Sequence, residues 1–205
     1  FDVHQAPVLA FGTTHSGLRA SGDAHGLVCL WATESGRLNV QHACPTPFGK
    51  IRHIASHPDG LMLATGSGQV VVMADDGKVV STVQAHARSA YWAGVHPTKP
   101  VTLSTGQDGE LVAHDGQQEV LRMPVHKSAV YRARICGKHL WTAGRDHEVK
   151  AWDLNSFDAV HKLHMPHTRS VNALAMGGVD GTQVATGGDD RSVKVWHASL
   201  DDTHH

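Results

Sequence analysis

The chain has 205 residues, 40% of them hydrophobic, with 18 Lys+Arg against 19 Asp+Glu and a formal net charge of −1. That content is enough to bury a core as one repeat domain over 1–205, and a near-neutral balance without a long basic run argues against a nucleic-acid partner. No apolar run reaches membrane-spanning length and no signal-like segment opens the chain, while Cys29, Cys44 and Cys136 are odd in number and lack pair spacing, which argues against a disulfide framework and for a reducing, cytoplasmic compartment.

One segment recurs at a period of roughly forty residues, so one structural unit is repeated along the chain. In the first unit His4 precedes the strand-like run Val8-Leu-Ala-Phe, and Ser21, His25 and Trp31 follow with spacings of four and six. The second unit is degenerate. Pro47 stands where the His is expected, before Ile51-Arg-His-Ile, and Thr65-Gly-Ser-Gly-Gln-Val-Val-Val-Met73 has neither Asp nor Trp and reads as short by about two turn residues. The third unit has His86 before Ala90-Tyr-Trp-Ala, then Ser104, Asp108 and, in place of Trp, His114. The fourth is the clearest: His126 before Val130-Tyr-Arg-Ala, then Thr142-Ala-Gly-Arg-Asp146-His-Glu-Val-Lys-Ala-Trp152-Asp153. The fifth repeats it with His167 before Val171-Asn-Ala-Leu and then Thr186-Gly-Gly-Asp-Asp190-Arg-Ser-Val-Lys-Val-Trp196.

Each unit reads as four short strands. In the fourth they cover 130–135, 139–143, 149–153 and 159–164, separated by the turn signals Cys136-Gly-Lys, Gly144-Arg-Asp-His and Leu154-Asn-Ser-Phe. No window has a sustained helical period, so the fold class is all-β.

The His, Ser/Thr, Asp and Trp-Asp pattern over residues 4 to 198 resembles the WD-repeat β-propellers, whose four-stranded blades are arranged radially around a channel. The resemblance implies blades near 4–43, 47–85, 86–125, 126–166 and 167–205. Seven blades are usual in the family, and Phe1-Asp2-Val3 looks like the tail of an outer strand. No convincing fourth strand follows Trp196. The expectation is therefore a piece of a larger, seven-bladed ring, whose open strand edges would need a partner, and the alternative is a five-bladed ring closed by the N-terminal residues. The resemblance also implies a buried polar network in four of the blades: His126, Thr142, Asp146 and Trp152; His167, Thr186, Asp190 and Trp196; His86, Ser104 and Asp108; and His4, Ser21 and Trp31, where His25 in place of Asp weakens the bracing, while the second unit has lost the set.

Eighteen histidines invite a metal or pH-sensing reading. Four of them, His4, His86, His126 and His167, occupy the repeat position, and His15, His57 and His96 share the turn after a first strand. His161 and His164 point to opposite faces of a strand, and His204 and His205 are either native or the remnant of a tag. Asp75-Asp76-Gly77 reads as a hairpin turn rather than a calcium loop. The His, hydroxyl and Asp of each unit name the members of a hydrolytic triad, but their recurrence argues against one activated nucleophile. Neither catalysis, cofactor nor metal is expected.

The function implied by the resemblance is a non-catalytic scaffold binding proteins or peptides through the narrow top face of the propeller. That face is built from the residues three and five places after the motif His and the residue before the motif Asp. Here these are Pro7, Leu9 and Ala24; Lys50 and Arg52; Ser89, Tyr91 and Gln107; Ala129, Tyr131 and Arg145; and Ser170, Asn172 and Asp189. Tyrosine and arginine are favoured binding anchors. The alternative is a propeller enzyme or a metal- or cofactor-associated domain using the central channel or a His cluster.

Overall fold

The structure, a computed structural model, describes residues 3–163, 166–177 and 183–197; Phe1-Asp2, the strand end at His164, any strand after His197 and His204-His205 lie outside the described residues. The fold is all-β, a β-propeller of antiparallel blades, and among the described residues no helix long and apolar enough to cross a membrane is present. The strands run in chain order within every sheet. The first blade is β1 (Val8–Thr13), β2 (Arg19–Asp23), β3 (Leu27–Glu34) and β4 (Arg37–Pro45). The second is β5 (Ile51–His57), β6 (Gly60–Thr65), β7 (Gln69–Met73) and β8 (Val79–Gln84); the third is β9 (Ala90–Val95), β10 (Thr102–Gly106), β11 (Glu110–Asp115) and β12 (Gln118–Pro124). The fourth is β13 (Val130–Cys136), β14 (His139–Gly144), β15 (Val149–Asp153) and β16 (Ala159–Leu163), and the fifth holds β17 (Val171–Gly177), β18 (Gln183–Gly188) and β19 (Val193–His197) among the described residues.

The chain divides into two compact units, Phe1–Met123 and Pro124–His205. In the first, the middle strand β6 is buried along its whole length because both of its faces are covered. Its odd face, Leu61 and Leu63, packs with Ala10, Leu30, Ile51 and Met73, and its even face, Met62 and Ala64, packs with Ala85, Ala90 and Ala93. A strand sandwiched in this way reads as a continuous apolar run rather than an alternating one. The first two blades approach closely enough that a Cβ on Gly22 would stand 2.4 Å from Ile51 Cγ2, so glycine is required there. In the second unit, Trp141, Ala143, Val149 and Ala151 pack with Val171, Leu174 and Val184.

Two local devices recur in every blade. The pairing of the first strand with the second slips once, between Val8 and Ala10, Ile51 and His53, Ala90 and Trp92, Val130 and Arg132, and Val171 and Ala173. The turn after the second strand then has one residue in the left-handed region: Gly26, Gly68, Gly109, His147 (φ 69°) and Arg191 (φ 65°). Glycine adopts that conformation without cost, whereas His147 and Arg191 adopt it under strain.

Candidate functional site

The fourth blade carries the complete polar network. His126 Nδ1 lies 2.8 Å from Asp146, His126 Nε2 lies 2.9 Å from Thr142 Oγ1, and Trp152 Nε1 donates to the same hydroxyl at 2.9 Å. A carboxylate only accepts and an indole only donates, so in the neutral imidazole Nδ1 carries the proton and the Thr142 hydroxyl turns its own toward Nε2. The result is a one-way relay from Trp152 through Thr142 and His126 to Asp146. The carboxylate also accepts the backbone N–H groups of Lys127 and Glu148. Burial raises the Asp146 pKa, but the His126 hydrogen bond and charge and those two backbone donors outweigh it and bring it down to about 2.

The fifth blade repeats the relay with His167, Thr186, Asp190 and Trp196, and Ser192 adds a hydroxyl to Asp190 at 2.8 Å. The third blade holds His86 between Asp108 at 2.8 Å and Ser104 at 3.0 Å, with buried His114 at the Trp position. Burial lowers the His114 pKa, with Glu119 opposing it.

The first two blades correct the spacing. In the first, His4 contacts Ser21 and Trp31 donates to Ser21 as the repeat requires, but the carboxylate on His4 Nδ1 is Asp23 at 2.9 Å. His25, aligned with the Asp by spacing, is exposed, so the bracing is complete after all. Asp23 ends β2 at the place held by Gly106, Gly144 and Gly188 in other blades, where the backbone lies beside the His ring; a carboxylate rooted there reaches the same nitrogen. In the second blade the pairing Leu63 with Val71 and Leu61 with Met73 matches Thr142 with Lys150 and Leu140 with Trp152. Leu63 therefore takes the hydroxyl position, Ser67 the Asp position and Met73 the Trp position. The turn has kept its full length, and Thr65, which imitates the motif hydroxyl in sequence, bonds locally to Ser67 and Gln69.

The positions around this frame vary. The strand ladder skips one residue in each blade, Leu9, Arg52, Tyr91, Tyr131 and Asn172, five places after the motif His or, for Arg52, after Pro47, and a bulge re-aims the side chain it carries. Beside each, the residue before the turn donates its backbone N–H to the residue three places after the His: Ala24 to Pro7, Gly66 to Lys50, Gln107 to Ser89, Arg145 to Ala129 and Asp189 to Ser170, at 2.7 to 2.9 Å. In the first unit the Arg52 guanidinium lies 5.2 Å from the centre of the Tyr91 ring. In the second unit Arg145 is exposed, Tyr131 half-buried, Ala129 buried, and Asn172 donates to the Asp189 carboxylate.

His126, Asp146 and Glu148 bring three potential metal ligands together. Their ligand atoms are committed, His126 to Asp146 and Glu148 to Lys150 and Lys162, so a cation would have to displace these bonds. A larger cavity of about 790 Å³ on the first blade is lined mainly by apolar groups, Phe11, Trp31 and Leu38 among them.

The family profile described as WD domain, G-beta repeat matches residues 159–197. Actin-interacting protein 1 of Drosophila melanogaster is 29% identical over 192 residues, covering 86% of this chain and 31% of that protein. WD repeat-containing protein 1 of Mus musculus is 24% identical, covering 88% of this chain and 32% of its own length. The ribosome biogenesis protein WDR12 homolog of Chlamydomonas reinhardtii is 22% identical, covering 93% and 52%. The chain thus spans about a third of the length of the first two relatives. Repeated blades, a His-to-Asp relay at matching register, a WD-repeat match over residues 159–197 and relatives described as WD-repeat proteins agree: this chain is similar to WD-repeat proteins along most of its length.

Proposed function

We propose that this protein is a non-catalytic binding scaffold that holds a protein or peptide partner on the top face of its blades. The observation that carries the reading is the coincidence of β-bulges with the variable rim positions, because a fold that re-aims one side chain per blade at the same place supplies a repeated contact surface. The candidate contact residues are Lys50, Arg52, Ser89, Tyr91 and Gln107 in the first unit and Tyr131, Arg145, Asn172 and Asp189 in the second. The His, hydroxyl and Asp sets are closed on themselves, which argues against a nucleophile waiting for substrate. Three free cysteines, with the buried Cys29 thiol pushed up to about 11 by burial and by Asp23, fit a cytoplasmic setting.

The test is affinity capture followed by titration of the captured partner, with filamentous actin as a first probe because one relative is named for that interaction. Tyr91→Ala, Tyr131→Ala and Arg145→Ala should each weaken binding about tenfold while shifting the melting temperature little. Normal binding by all three, with loss in the outer-strand variant Lys162→Ala, would show that the partner uses the blade sides and would end the top-face reading.

A further inference from the structure

The second blade, which lacks the polar network, also has the least crowded rim. The position that carries Ala24, Gln107, Arg145 and Asp189 elsewhere carries Gly66 here, tied by its N–H to the Lys50 carbonyl at 2.7 Å. The result is an open notch of about 430 Å³ lined by Phe48, Lys50, Arg52, Gly66, Ser67 and Ser89, with no carboxylate in its wall.

Both cations of the notch lack a counter-charge. Lys50 is exposed, and neither its ammonium nor the Arg52 guanidinium has a side-chain acceptor or ion pair among the described residues. Arg52 Nε is buried without a hydrogen-bond partner, an unusual state for a charged donor. Its guanidinium is also held over the Tyr91 ring, and a stacked fork loses less freedom when it engages a ligand. The two hydroxyls are committed inside the protein, Ser89 to the Gly66 carbonyl and Ser67 to Thr65 and Gln69, so they wall the notch and leave Lys50 and Arg52 as its charged groups.

We infer that this notch is an oxyanion-binding site for a peptide partner, in which Arg52 and Lys50 together take a phosphorylated or carboxylate side chain. An arginine fork matches either oxyanion, and the adjacent lysine adds a point charge. The inference rests on the top-face reading and names the chemistry of one of its contacts.

Three short peptides, identical except for a central phosphoserine, aspartate or serine, are titrated into the full chain by calorimetry at low and physiological salt. The phosphoserine or aspartate peptide, or both, should bind at least about tenfold more tightly than the serine peptide, and weaken by about tenfold in Lys50→Gln and in Arg52→Gln. Whichever of the two binds more tightly identifies the source of the oxyanion. Equal binding of the serine peptide, or unchanged affinity in both variants, overturns the site. Should Arg52→Gln lower the melting temperature, Lys50→Gln alone decides, because its side chain is exposed. Loss of peptide affinity with normal partner capture would keep the site and remove the reading it rests on; retained affinity with lost capture would remove the site alone.

Discussion

The fourth and second blades are built to the same dimensions, with first, second and third strands of seven, six and five residues in each, yet their interiors have opposite chemistry. Where the fourth has His126, Thr142, Asp146 and Trp152 in a directional relay, the second has Pro47, Leu63, Ser67 and Met73, with Leu63 and Met73 fully buried. The blade register is therefore set by the strand ladder and two-sided burial, and the relay is one of two ways to fill the same space. Apolar replacement of a buried ion pair is often neutral in stability when the whole set changes together. Removing one member is different, because it leaves the others unsatisfied.

The largest effect that separates the two blades is expected at Trp152. Trp152→Ala should cost about 3–5 kcal/mol, since it empties a buried site and also deprives Thr142 of its donor. Chemical denaturation midpoints measure this directly, and a loss well under 1 kcal/mol would contradict the packing described.

Asp146→Ala should cost about 2–3 kcal/mol and Ser67→Ala, at the equivalent place in the second blade, under about 0.5 kcal/mol. The first leaves His126 and two backbone donors without an acceptor; the second removes a local contact near the surface. Acid sharpens the contrast. The folded pKa of Asp146 is depressed to about 2, so its stabilisation is fully present above the ordinary value of 3.8 and disappears as pH falls through 2. The gap between wild type and Asp146→Ala should therefore shrink by about 2 kcal/mol between pH 6 and pH 2, whereas the Ser67→Ala gap stays flat. Asp23, Asp108 and Asp190 are lowered in the same direction, which makes the relay-bearing blades the acid-sensitive ones.

The smallest effect concerns the left-handed turn residue. His147→Gly should be neutral or stabilising by up to about 1 kcal/mol, because glycine relieves strain there. The second blade already has Gly68, where an added Cβ would meet the His86 carbonyl oxygen at 2.1 Å. A clear loss of stability in His147→Gly would mean that its imidazole makes a contact worth more than the strain.

Much of this architecture was legible in the sequence, because hydroxyl, Asp and Trp at fixed spacing mark the relay, and the turns between strands are rich in glycine and aspartate. Two failures were instructive. Thr65-Gly-Ser-Gly looks like the motif, so spacing measured from Thr65 shifted the second blade by two residues; an apolar filling leaves no polar signature, and only the Leu61-Leu63 and Met73 side of the alternation carried the true register. Asp23 escapes the repeat spacing, which expects a carboxylate in the turn, although one at the strand end reaches the same imidazole. The proposed contact positions follow from the family pattern, but the β-bulge at five of them is a property of backbone pairing and has no residue signature of its own.

Three of the five tryptophans donate their indole N–H to a network hydroxyl, Trp31 to Ser21, Trp152 to Thr142 and Trp196 to Thr186. Each is therefore a spectroscopic gauge built into a different blade. Its indole N–H resonance is shifted and protected from solvent exchange only while that blade's relay is intact, so local opening of the first, fourth and fifth blades can be timed separately in one unlabelled sample. The second blade, with no tryptophan and no relay, contributes no such signal, and its opening is heard only through the residues that pack against it.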